Sequence, residues 1–173
     1  MFDPAFLARY GRTPDDVAAR LQAALEEFEA TLQAFTRGGD ERWFQPLAAG
    51  KWSAAQQAEH VLKANVSFAK IAYLLGTDRP LPDVKREPGA LVDGKPVAPD
   101  FLQPGPGVPW PELEGEWRAS HDRVLKTVRS VNPEGARVFW HPLLGDLTAM
   151  QWTQVAVYHT RSHHKQLMAG QEG

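Results

Sequence analysis

Four runs of apolar residues repeat at three- and four-residue steps, each closed by glycine or proline, and this pattern restricts the fold most. The first carries Val17, Leu21, Ala24, Leu25, Phe28, Leu32 and Phe35 and stops at Gly38-Gly39. The second runs from Ser53 to about Leu75 through Ala58, Val61, Leu62, Phe68, Ala69 and Ala72, and ends at Gly76. The third spans roughly Glu112 to Val131, with Trp117, Val124, Leu125 and Val128 facing inward; Gly115 weakens its first turn and Asn132-Pro133 ends it. The fourth follows Thr148 through Trp152, Val155, Ala156, His159, His163 and Leu167 to Gly170.

Capping chemistry marks three of the starts. Thr13-Pro14-Asp15-Asp16 sets a hydroxyl before a proline at the first helical position, with acids in the first turn. Ser53-Ala54-Ala55-Gln56 and Thr148-Ala149-Met150-Gln151 both read as capping boxes, in which the glutamine returns to the amide of the cap residue. Helices of about 20 residues are about 30 Å long, the size of an antiparallel bundle. The expected fold is therefore all-α: one antiparallel four-helix bundle over residues 1–173, with a long crossover between its second and third helices. That crossover, Thr77 to Pro111, holds nine of the fourteen prolines and is neither helical nor alternating like a strand. Loops of such length are functional or disordered. An extended strap covering one end of a cavity and a mobile surface loop both fit the sequence.

Composition narrows the function classes. At 173 residues with 43% apolar and 23% charged content, the chain can bury a sizeable core without staples. A formal charge of -2 with scattered basic residues offers no footprint for nucleic acid and no polybasic membrane anchor. No stretch approaches the roughly 20 apolar residues that cross a bilayer, and Met1-Phe2-Asp3-Pro4 lacks the apolar core of a secretion signal, so cytoplasmic residence is expected. With no cysteine, there is no disulfide, thiolate metal site or nucleophilic thiol in the chain itself. Gly-x-Ser-x-Gly, a phosphate-cradling glycine loop and His-Glu-x-x-His are all missing from the sequence, which argues against serine hydrolases, nucleotide binding and standard zinc proteases.

Chemistry concentrates in Tyr158-His159-Thr160-Arg161-Ser162-His163-His164-Lys165-Gln166. Residues four apart on a helix share a face, so His159 and His163 project together, on the seam defined by Trp152, Val155, Ala156 and Leu167. His164 points about 100° further round. Two buried imidazoles need partners: either a metal ion, or side chains and water. His60, two turns into the second helix, can meet the pair, but periodicity does not set the relative heights of two helices. Gln166 is a candidate to orient a ligand or water, and Tyr158 a candidate substrate contact. Glu59 reads as a solvated acid, His141 as a residue that fixes its turn and His121 as a surface residue. The tryptophans read mostly as packing residues, one or two of them lining a pocket.

The segment His141-Pro142-Leu143-Leu144-Gly145-Asp146-Leu147-Thr148, then Gln151-Trp152, then His159-x-x-x-His163-His164-x-Gln166, resembles the DinB/YfiT-like superfamily. Its closest likeness is to DinB-like members with a His-Pro-x-x-Gly-x-Leu-Thr turn before the last helix. Trp52-Ser53 with His60 eight residues after the tryptophan resembles that family's second helix. The family is distinct from the DNA polymerase sharing the DinB name. The resemblance implies a four-helix bundle with one long crossover and a divalent ion, zinc or nickel, held by His60, His159 and His163. It also implies frequent homodimers and, in some relatives, transferases or isomerases that use a low-molecular-weight thiol. Three neutral imidazoles leave a coordination position open, which suits a catalytic ion. The expectation is a metal-dependent transferase or hydrolase acting on a small molecule, with a non-catalytic metal- or ligand-binding bundle as the alternative.

Overall fold

A computed structural model describes residues 3–92 and 95–171. The four apolar runs are helices α1 (Pro14–Thr36), α3 (Ala54–Leu75), α4 (Trp110–Arg129) and α5 (Ala149–Gln171). The expected caps form. The Thr13 hydroxyl accepts from the Asp16 amide at 3.2 Å. Ser53 and Gln56 exchange both capping-box bonds at 3.1 and 3.2 Å, and Thr148 and Gln151 do so at 2.9 and 3.3 Å. α4 begins at Trp110, ahead of the expected Glu112, because Pro111 is accommodated in its first turn and the Trp110 ring packs on Trp43 and Trp117.

Outside the crossover, three pieces among the described residues lie beyond the four-run pattern. A 3-10 turn, Pro4–Tyr10, packs on α5, burying Leu7. A short helix α2, Gly39–Phe44, restarts after α1 with Gly39 at φ 80° and buries Trp43. A hairpin pairs β3 (Val138–His141) with β4 (Gly145–Thr148), antiparallel, and leads directly into α5.

Specific pairs set the helix directions. Across α3 and α5, Gln57 meets Gln166, His60 meets His159 and Phe68 meets Trp152, so these two run antiparallel. Across α1 and α4, Glu29 meets Arg118 and Gln22 meets Arg129, again antiparallel. α1 and α5 are parallel, with Gly11 beside Gln154 just before α1 and Thr31 beside His164 near its end. The bundle is thus antiparallel across two faces and parallel across the other two. The long crossover returns the chain to the end from which α3 began, so α4 runs alongside α3 in the same direction.

The crossover is a strap docked at both ends of its path. Towards its start, Arg86 pairs with Asp146 at 2.8 Å and Gly89 donates to the Pro142 carbonyl at 3.0 Å, tying it to the β3–β4 hairpin. Nearer α4, Gln56 donates to the Gly105 carbonyl, the Gly105 amide donates to Glu59 at 3.0 Å, and Trp43 Nε1 donates to the Val108 carbonyl at 2.9 Å. Over its described residues the segment takes an extended path held to the bundle by these bonds. It also contains a two-residue ladder, β1 (Leu91–Val92) with β2 (Lys95–Pro96), and a 3-10 turn, Asp100–Leu102, neither of which the residue spacing signals. Glu59 correspondingly differs from the expected solvated acid: it is half-buried, anchoring the strap and pairing with Lys63 at 2.7 Å.

Candidate metal centre

Antiparallel packing of α3 on α5 decides the helix register that periodicity leaves open. It sets His60 level with the His159/His163 pair, and one ring nitrogen from each of the three lies within 4.8 Å of the others. His60 Nε2 and His159 Nε2 are 3.0 Å apart, and the ring centroids are separated by 4.4 to 4.9 Å.

Two of the rings are held by their outer nitrogens. His60 Nδ1 donates to the Leu102 carbonyl of the strap at 2.7 Å. His163 Nδ1 donates to Gln57 Oε1 at 2.5 Å, while Gln57 Nε2 donates to Gln166 Oε1 at 3.2 Å. These bonds assign the ring protons to Nδ1 and leave a lone pair on Nε2 of each, the tautomer that metal-ligating histidines adopt. Trp52 packs on His60 at 4.6 Å and stacks on His163 at 6.1 Å, and Phe68 meets His159 edge-on at 5.4 Å. Apolar walls thus surround polar nitrogens.

Electrostatics favour the unprotonated state. Burial holds His159 well below the usual histidine range, with the charges that His163, His60 and His141 would carry adding to the effect. Burial, and then His60, lower His163 to about 3, and burial also lowers His60. Neutral imidazoles are the ligand form. At 3.0 Å His159 Nε2–H donates to His60 Nε2 in the metal-free site; with the His159 proton on Nδ1 instead, both Nε2 lone pairs are free for a cation. The donor set therefore fits a divalent ion that takes imidazole nitrogen, such as zinc or nickel. His159 Nδ1 is buried without a hydrogen-bond partner.

The other candidates are placed as follows. Gln166 lies on the exposed side of the site and acts one step removed, through Gln57. Tyr158, the candidate substrate contact, lies beside the N-terminal turn. It is 40% exposed, and its ring packs against Phe6 at 5.3 Å and Tyr10 at 5.8 Å, because a one-residue step from His159 turns it about 100° towards the N-terminal turn. His164 likewise faces α1, hydrogen-bonded to Thr31 at 2.8 Å. His141 fixes its turn as expected, accepting from the Leu143 amide at 3.1 Å. His121 is not at the surface. It is only 4% exposed, packs on Trp117 and receives Asn65 Nδ2 at 3.3 Å. Its steps of four from Trp117 and three to Val124 put it on the seam of α4, and that spacing was the available signal.

Gln57 is the residue that the histidine pattern did not single out. A glutamine 1% exposed and three residues before His60, on the apolar face of α3, is a readable sign of a polar contact inside the bundle. The Leu102 carbonyl had no such sign, since a backbone group forty-two residues away reaches His60 only through the path of the strap.

Comparison with known proteins agrees with this architecture. The DinB superfamily profile matches residues 20–167. The uncharacterized protein YuaE of Bacillus subtilis (strain 168) is 23% identical over 133 residues, which cover 74% of this chain and 82% of that protein. The crystal structure of TT2238, a four-helix bundle protein, aligns with a TM-score of 0.62 at 24% identity, covering 91% of this chain and 99% of that one; at this identity the likeness bears on the fold alone. With the profile reaching from within α1 to the last buried leucine of α5, the chain belongs to the DinB superfamily.

Proposed function

We propose that residues 1–173 form one metal-dependent enzyme domain whose site is His60, His159 and His163, acting on a small molecule by thiol-dependent transfer or by hydrolysis. The observation that carries this reading is the support behind the cluster: Leu102 and Gln57 each hold an outer nitrogen, so that His60 and His163 turn lone pairs inward. Both bonds take the outer nitrogens and leave the inner ones for a shared ion. Three protein donors leave a position for an exogenous group, as in catalytic rather than structural sites. A divalent ion bound there would lower the pKa of a water or thiol placed on it. The residues of the chain do the rest: Trp52 and Phe68 limit the approach of bulk water, and the strap fixes the angle of His60. Any thiol must come from outside, because the chain has no cysteine.

The test is to measure metal content in tag-free protein, then to load zinc or nickel and assay electrophile conjugation to low-molecular-weight thiols alongside ester and amide hydrolysis. Turnover lost in His163→Ala with the fold retained supports the enzyme. Stoichiometric metal without turnover on any substrate class points to the non-catalytic bundle instead.

A further inference from the structure

Beside the three imidazoles lies a second group of polar atoms that the proposed metal centre does not use. Trp152, 3% exposed, stands two helical turns before His159 on the same seam of α5, and its Nε1 has no hydrogen-bond partner. Its ring packs against Phe68 at 5.7 Å, and Phe68 in turn meets His159 at 5.4 Å. Over Trp152, at 5.1 Å, lies the ring of His141 at the end of β3. The Leu143 amide donates to His141 Nδ1, which places the ring proton on Nε2. Burial lowers His141 to about 4, so the ring is neutral at pH 7 and Nε2 is a donor. His141 is also close enough for its charge to act on His159.

An indole N–H can only donate, and a buried donor without an acceptor is destabilising. Two neutral donors on rings in contact, near the proposed metal site, match a group with lone pairs and no protons to give. We propose that His141 Nε2–H and Trp152 Nε1–H form a two-donor subsite that binds a carbonyl or carboxylate oxygen of the substrate. This rests on the reading of the three histidines as a metal-dependent site. The hairpin supplies the rigidity such a subsite needs: Gly89–Pro142 and Arg86–Asp146 clamp its turn and its second strand to the strap just after His141.

The test follows the indole N–H resonance of Trp152 in the isotope-labelled full chain, assigned by its loss in Trp152→Phe, during titration with acetate, acetamide or methylamine. It is run on the metal-free and the zinc-loaded protein. Acetate and acetamide should shift the resonance saturably and methylamine should not. Trp152→Phe and His141→Phe should each weaken acetate binding, read by calorimetry, by about tenfold or more, with zinc stoichiometry unchanged. His141→Gln, which keeps a donor, should recover part of the loss. If His141→Phe does not fold, Trp152→Phe retains the ring packing on Phe68 and carries the test. An unmoved Trp152 resonance, equal affinity in the variants, or an equal response to methylamine overturns the subsite. Failure of zinc to bind would instead overturn the metal reading, while the metal-free titration still decides whether the two donors take an oxygen.

Discussion

His60 donates through Nδ1 to the carbonyl of Leu102, so a ring on α3 is aimed by a backbone group in the strap. The strap reaches that position through close contacts. Gly107 has φ 87°, and a Cβ built there would lie 2.5 Å from the Ala55 side chain, against the first turn of α3. Position 107 therefore fixes how closely the strap passes the first turn of α3, in the same segment as Leu102.

Gly107→Ala should lower stability by about 1–3 kcal/mol, since it combines left-handed strain with overpacking. It should also weaken metal binding, because displacing the strap removes the partner of His60. Chemical denaturation and a chelator competition, run on the same preparation, check both effects. Unchanged metal affinity in a destabilised variant would uncouple the strap from the site.

Gln57→Leu keeps volume in the core but leaves His163 Nδ1 without its acceptor. The expected loss is about 10–100-fold in metal affinity. Gln166→Ala should have a smaller effect of the same sign, because it touches His163 only through Gln57. Competition against a chromophoric chelator measures the order of the two.

Stability should fall on acidification. Burial lowers His121 to about 4, against an unfolded value of 6.5. Between those limits the unfolded chain binds the extra proton, so stability drops as pH falls from about 6.5 towards 4 and is flat above that window. Each such histidine contributes a slope of up to about 1.4 kcal/mol per pH unit. His163, lowered to about 3, extends the window downward. Urea midpoints between pH 4 and pH 8 test the shape, and His121→Leu should flatten the upper part of it.

Zinc or nickel should stabilise the fold by an amount that grows with the logarithm of free metal, about 2.7 kcal/mol at a hundredfold excess over the dissociation constant, and raise the melting temperature accordingly. His159→Ala should abolish that increment while leaving the metal-free fold in place. A melting curve indifferent to metal and to chelator would count against an ion at this site.

Much of the architecture is local and therefore legible in one dimension. Thr13, Ser53 and Thr148 cap the helices through bonds to residues three positions on, and the apolar steps of each run state which face is buried. The spacing of His159 and His163 likewise needs only the pitch of a helix. His121 occupies the bundle interior rather than the expected surface position, and Tyr158 takes neighbours that no periodicity announces. For Tyr158 the deciding partners, Phe6 and Tyr10, lie in a turn with no long periodic signal; for His121 the signal was a seam position that a polar residue disguised.

The sequence by itself thus determined four amphipathic helices, their caps, and two imidazoles sharing the buried face of the last helix. The meeting of His60 with that pair, the acceptors Leu102 and Gln57, and the placing of Trp152 beneath His141 were decided by tertiary structure alone. Helical periodicity fixes azimuth within one helix, whereas the relative height of two helices depends on side-chain packing and on the path of the chain joining them.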